Sequence, residues 1–269
     1  MSGFAGKLTC CGAGSRYRGG ISTERIINRL LIIFGGLAAV FAALAFLFPG
    51  ESLGSVKSGS KSFPLCEYIN IDLLKTNVEL IPWDNDSIRM EYQNDVPLTA
   101  EIGDNSLNIS ESSEFVISLF AEKSSERYMK LYLPREYYRD ILIYTVSGSV
   151  ELGAVDSEKL TVVTNSGDIV SENTRSLSSF TTASGNIVLG FYRVIPGSSI
   201  LSRSGNAEIS FPKGSSVALD FETDTGVMST DLIRGNYAGS YMYSFNGGGA
   251  LIHASLEKGV LTVLERQTE

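Results

Sequence analysis

From Phe63 to about Tyr138 the chain alternates apolar and polar residues in short runs, EYINIDL, NVELIPW, SIRMEYQ, LNIS and MKLYLP among them, each broken by Asn, Asp, Pro or Gly. A period of two over runs this short predicts strands with one buried face. After Tyr138 the alternation becomes a repeat. TVSGSVELG begins at Thr145, TNSGDIVSE at Thr164, TASGNIVLG at Thr182, SRSGNAEIS at Ser202 and TDTGVMSTD at Thr223; a looser copy, LEKGVLTVLE, surrounds Gly259. The first five glycines, Gly148, Gly167, Gly185, Gly205 and Gly226, follow one another at 19, 18, 20 and 21 residues.

A period near 20 residues decides an architecture before any local motif can. Five residues before the glycines stand Ile143, Val162, Phe180, Ile200 and Phe221, and three before stand Thr145, Thr164, Thr182, Ser202 and Thr223. These positions share one face of a strand. Two after the glycines come Val150, Ile169, Ile187, Ala207 and Met228. Strand, corner and strand, returning one layer up, predict an all-β chain built as a single-stranded β-solenoid whose apolar side chains stack inward from coil to coil. Glycine is expected at the corner for its freedom at positive φ. The Thr/Ser column should hydrogen-bond along the stack. The residues after the glycines, Ser149, Asp168, Asn186, Asn206 and Val227, form an expected polar ladder of turn residues. Ser166-Gly167-Asp168 is thereby a bend in a frame rather than a nucleophile turn.

The organisation that follows is an N-terminal β region at 63–140, covering one end, and solenoid repeats at 141–264. At the other end YMYSFNGGGALIHAS predicts a hairpin around Gly247 to Gly249 before a last coil through Val263.

One segment breaks the pattern. Leu30 to Phe48 carries no charge over 19 residues, about 28 Å as a helix, close to the thickness of a bilayer core. Lys7, Arg16, Arg18, Arg25 and Arg29 precede it against Glu24 alone. The reading is a cytoplasmic tail at 1–25, a transmembrane helix at 26–49 and a Gly/Ser-rich linker at 50–62, with the C-terminal domain outside the cell membrane. A cleaved signal peptide is the rival, with Ala43-Leu44-Ala45 as a small-residue cleavage pattern. Gly35, Ala39 and Ala43 lie four apart, which is either chance in a Gly/Ala-rich helix or a dimer seam.

The chain carries a net −8, and beyond residue 50 there remain 17 basic against 29 acidic groups, a net of −12. That surface repels nucleic acid and anionic headgroups. Cys10 and Cys11 have no His or second Cys pair beside them, and Cys66 alone lies in the outer part, where a buried thiol is expected. Catalytic chemistry finds little support. His253 is the single histidine and lies far along the stack from most Ser-Gly corners, so no triad is expected. Asp168 with Asp224, and Glu151 with Glu208, are read as three coils apart, beyond glycosidase spacing. Asp220, Glu222 and Asp224 share an outward face and are expected to form ion pairs, Arg203 with Asp224 among them, rather than a calcium shell. No catalytic, cofactor-binding or metal-binding residue is assigned, and no cofactor. The same outward face begins apolar at Leu142, Tyr144 and Val146. Either the strands of 63–140 cover it or a partner docks there.

The repeated Ser/Thr-Gly corners, the LYLP run before the first coil and the terminal GGGALIHASLEKGVLTV resemble the bacterial putative-adhesin family of unknown function with β-strand repeats, which includes LiaG-like proteins of the cell envelope. The resemblance spans residues 63 to 264. It implies a right-handed extracytoplasmic β-helix with no established enzymatic activity or cofactor. The partners expected are the membrane, through the single span, and envelope proteins or surface glycans. The expected function is that of a membrane-anchored adhesin or envelope-stress scaffold; a cell-wall carbohydrate-active enzyme and a self-assembling scaffold are the alternatives.

Overall fold

The computed structural model describes residues 57–112, 126–230, 234–236 and 239–267. The expected tail and transmembrane helix lie outside these residues. Among those described, no helix is long and apolar enough to cross a membrane; every element is a strand.

Two sheets face each other. Sheet A runs, in spatial order, β1 (Lys57–Phe63), β4 (Ile88–Asn94), β7 (Tyr128–Pro134), β3 (Asn77–Trp83), β9 (Val150–Leu152), β11 (Ile169–Thr174), β13 (Ile187–Phe191), β15 (Ala207–Pro212), β21 (Val260–Arg266), β17 (Val227–Thr230) and β18 (Arg234–Asn236). Sheet B runs β19 (Gly239–Phe245), β16 (Val217–Thr223), β20 (Ala250–Leu256), β14 (Ser198–Ser202), β12 (Leu177–Thr182), β10 (Ser157–Thr164), β8 (Tyr138–Thr145), β2 (Tyr68–Leu73), β6 (Ser106–Glu111) and β5 (Leu98–Gly103). A coil is one strand of B, a corner and one strand of A. Eight such coils stack in the order β6/β7, β2/β3, β8/β9, β10/β11, β12/β13, β14/β15, β20/β21 and β16/β17. Parallel ladders join them, and Ile143, Val162, Phe180 and Ile200 fall in one register. All four are buried, as are Val150, Ile169, Ile187 and Ala207 facing them from sheet A.

The structure revises three expectations about layout. Residues 63–140 do more than cover an end, since β2/β3 and β6/β7 continue the stack as coils. The 50–62 tether is strand from Lys57 onward: β1 pairs antiparallel with β4, because the ladder beyond β4 was open. The C-terminal hairpin does not form. β19 and β20 are joined by Asn246 to Gly249 yet lie on opposite sides of β16, β19 antiparallel and β20 parallel to it. The last coil therefore slots between those of Gly205 and Gly226. Both ends of the stack finish in antiparallel strands, β4 and β5 at one and β18 and β19 at the other.

Coil order explains the corners. A Cβ on Gly148 would lie 2.1 Å from the Thr76 carbonyl oxygen, on Gly167 2.0 Å from that of Gly148, on Gly185 1.9 Å from that of Gly167 and on Gly205 1.8 Å from that of Gly185. Gly259 continues the column over Gly205 at 2.3 Å. Five of the six repeat glycines have no positive φ; Gly259, at +125°, is the exception. The expectation of positive φ is corrected: glycine is needed because corners stack too closely for any side chain. The hydroxyls complete each bend. The amides of Gly167, Gly185, Gly205 and Gly226 donate to Thr164, Thr182, Ser202 and Thr223 at 2.9, 2.9, 3.0 and 2.7 Å. Gly259 is preceded at that position by Leu256, which has no hydroxyl to offer.

Candidate functional site

The polar ladder is structural. Asp168 Oδ1 accepts the Asn186 amide at 2.7 Å, Asn186 Oδ1 the Asn206 amide at 3.1 Å and Asn206 Oδ1 the Val260 amide at 2.9 Å. Below them, Asn77 Oδ1 accepts the Ser149 amide and Ser149 Oγ the Asp168 amide. These corners are spent on holding coils together.

Insertion of β20/β21 also redistributes the charges. Arg203 meets Glu257 at 3.3 Å instead of the expected Asp224, since Glu257 occupies the same corner position on the intervening coil. Asp168 and Asp224 are four coils apart, not three. Glu151 and Glu208 keep their three-coil separation through Val170 and Val188. A neighbouring carboxylate pair joins a repeat strand to one that precedes the repeat: Glu79 stands beside Glu151. With Glu172, Ile81, Pro82 and Val170 they line a groove of about 210 Å³ on sheet A. Lys130 Nζ holds Glu79 at 2.7 Å, and that ion pair raises the lysine's pKa. Among the described residues no cluster of His, Cys, Asp and Glu is arranged to hold a metal. Cys66 is buried, and that burial pushes its thiol pKa up.

His253 lies in β20, within the sheet and not in a terminal hairpin. On its outer face Ser199, His253 and Asp220 occupy one cross-strand column. The imidazole Nδ1 is 3.0 Å from Asp220 Oδ2. This is the closest approach to a triad in the fold, and it was invisible in the linear order of coils. The geometry stops short of one. Ser199 Oγ donates to Ser179 Oγ at 3.0 Å, turning its proton toward the opposite neighbour. The surrounding backbone amides lie within the ladders of β14 and β20, which leaves no preorganised pair for an oxyanion.

The outer face of sheet B is the better candidate for recognition. Its first coils form a grid: Ser106, Tyr68 and Asp140 in one cross-strand row, Asn108, Asn70 and Leu142 in the next, Ser110, Asp72 and Tyr144 in the third. Alternation places all nine side chains outward. The expectation that strands of 63–140 cover this face fails because β2 joins β8 edge to edge. Leu142 and Tyr144 keep 40% and 43% of their surface exposed, and Tyr68 keeps 38%. Val163 and Leu201 carry the apolar character further along the Tyr144 column.

A model of the family described as Toastrack DUF4097 matches residues 66–189 and 143–241. Among curated proteins none matches the chain. The crystal structure of a putative cell adhesion protein from Clostridium sporogenes aligns with a TM-score of 0.50 and 14% identity, over 79% of this chain and 100% of that one. That of a putative adhesin from Bacteroides fragilis aligns at 0.41 and 13%, over 79% and 99%.

Proposed function

The chain belongs to the Toastrack DUF4097 family, and from that premise we propose that it is a membrane-anchored, extracytoplasmic, right-handed β-solenoid that binds a cell-envelope partner and turns nothing over. The reading rests on one observation: among the described residues, Leu142 and Tyr144 remain exposed on a continuous sheet face with strands paired on both sides of β8. Apolar side chains left in water at the centre of a face, away from the edges, suit a surface completed by a partner. The uncharged run from Leu30 to Phe48, behind five cationic residues, supports the anchor and the outward direction. Protease added to intact cells would then digest residues 54–269 and spare the N-terminal tail.

The test of adhesion uses the full chain on cells. Replacing both Leu142 and Tyr144 by Lys should reduce cell attachment to isolated envelope fragments by about tenfold, the loss expected when central apolar contacts are broken. Attachment unchanged by the double substitution would refute the assignment. A drop in folded protein would show instead that the face is structural. A second reading has its own observation, the adjacent Glu79 and Glu151 beside the sheet A groove. It makes the chain a wall-glycan hydrolase, and turnover lost in Glu151→Gln is its signature.

A further inference from the structure

We propose that the grid on β6, β2 and β8 binds an extended, uncharged pyranose polymer. The inference rests on the adhesive reading above and names the ligand class of that same face. A sugar ring offers an apolar C–H surface rimmed by hydroxyls that both donate and accept. Its receptor needs exposed ring or aliphatic surface interleaved with fixed polar groups. The grid supplies both. Tyr144 and Leu142 stand on one strand, with Tyr68 on the next two residues beyond Asn70, the cross-strand neighbour of Leu142.

Beside the rings, on β2 and β6, the polar groups are already held in place. Asn70 Nδ2 donates to Asn108 Oδ1 at 2.9 Å, Asn108 Nδ2 to Ser106 Oγ at 3.0 Å and Ser106 Oγ to the Gly103 carbonyl at 2.9 Å. This chain of bonds runs one way. It leaves Asn70 Oδ1 at its head as an acceptor and one N–H on each amide as a donor, beside the exposed carboxylate of Asp72. Preorganised side chains lose little freedom on binding.

The footprint selects the form of the ligand. Three strands by five residues span roughly 10 by 13 Å, an open face and no cleft, so contact area must come from a chain lying across it. Charge selects the class. Asp72 and Asp140 lie inside the grid, and the chain beyond residue 50 carries a net −12, so uronic acids and phosphate polymers are repelled.

The experiment is co-sedimentation of the full chain, in detergent micelles, with insoluble chitin, insoluble cellulose and, as the charged comparison, a covalently cross-linked, calcium-free polyuronate. Retention on chitin or cellulose, released by the matching soluble hexasaccharide, is expected. Chitin alone would indicate that the amides read an acetamido group; cellulose alone or both would indicate ring stacking and hydroxyl contacts. Tyr144→Ala and Tyr68→Ala should each lower retention at least fivefold and Asn70→Ala about threefold. Tyr192→Ala removes a still more exposed ring elsewhere, stacked under Arg175, and should change nothing. Circular dichroism of each variant distinguishes lost binding from lost fold. No retention on either uncharged polymer, preference for the polyuronate, or retention indifferent to the Tyr68 and Tyr144 changes would each overturn the inference. If attachment to envelope fragments still depends on Leu142 and Tyr144 while both polymers fail, the partner is a protein, and the adhesive reading stands without this one.

Discussion

Gly185→Ala is the sharpest perturbation of the corner column. The added methyl would sit 1.9 Å from the Gly167 carbonyl oxygen and 2.5 Å from its carbon, against an ordinary contact of 3.4 Å or more, so the two corners must part by about 1.5 Å. Both atoms are backbone, and neither can swing away. Separation strains two bonds between the coils: Asn186 amide to Asp168 Oδ1 at 2.7 Å, and Ser184 amide to the Asn165 carbonyl at 3.0 Å. Overpacking of this kind costs about 1 to 3 kcal/mol and each weakened bond about 1 kcal/mol, so the substitution should destabilise by about 3 to 5 kcal/mol. The assay is urea unfolding followed by far-UV circular dichroism and by the fluorescence of Trp83, the single tryptophan. The midpoint should fall by about 1 M or more. Gly103→Ala is the matched comparison, because a Cβ there meets nothing within 4 Å and the φ is not positive; it should stay within about 0.5 kcal/mol of the parent. An unchanged midpoint for Gly185→Ala, or equal damage from Gly103→Ala, would refute steric exclusion as the reason for the column.

Two further outcomes test the end of the stack and the interior. Glu111 has a buried carboxylate that accepts the Leu74 amide at 2.7 Å, the Lys75 amide at 3.1 Å and the Thr76 hydroxyl at 3.1 Å, with Arg127 alongside at 3.3 Å. Glu111→Ala should therefore lower stability by about 3 kcal/mol, read as a fall in thermal midpoint, and Glu111→Gln by less. Tyr138 donates its hydroxyl to the Pro134 carbonyl at 3.0 Å; burial, with smaller contributions from Cys66 and Glu136, raises its pKa above the ordinary phenol range. The sign follows from the unfolded chain ionising first: this stabilisation is complete below about pH 10 and is lost as pH rises from there toward the folded value, at about 1.4 kcal/mol per pH unit. The stability gap between parent and Tyr138→Phe should thus shrink on alkaline titration. A gap indifferent to pH counts against the burial.

The repeat made most of the frame legible, because each coil needs the same parts at the same places. Hydroxyl, serine, glycine and turn residue recur where they do because each touches the coil before it. The order of coils was hidden because contacts between strands do not depend on which coil the chain visits first. One trace of it lay in the chain: the 33 residues between Gly226 and Gly259, against 18 to 21 elsewhere, are what a passage through β18 and β19 requires. The early coils were missed for a different reason. The corner at Leu74 to Thr76 carries no glycine, and the repeat offers nothing to align there. The coil beneath it joins β6 to β7 over a much longer connection, so the spacing of the repeat is lost there as well. The triad-like column of Ser199, His253 and Asp220 was illegible with the coil order, since β20 must slide between β14 and β16 before the three residues meet.

Glu111 shows how an end of such a stack is finished. In the interior each corner amide donates to a carbonyl of the preceding corner: Ser147 to Leu74, Ser166 to Val146, Ser184 to Asn165, Ser204 to Ala183, Lys258 to Arg203. At the corner of Leu74 to Thr76 one carboxylate, that of Glu111, accepts the amides of Leu74 and Lys75. Those two backbone donors are thereby satisfied by a side chain whose carboxylate is itself buried. The interior columns and the corners are therefore fixed by the coil on either side. The outward side chains of sheet B are free of that constraint, because changing one leaves the stack intact. That freedom is why Tyr68, Asn70, Asp72, Leu142 and Tyr144 carry information about a partner, whereas Ser166, Gly167 and Asp168 carry information about the frame.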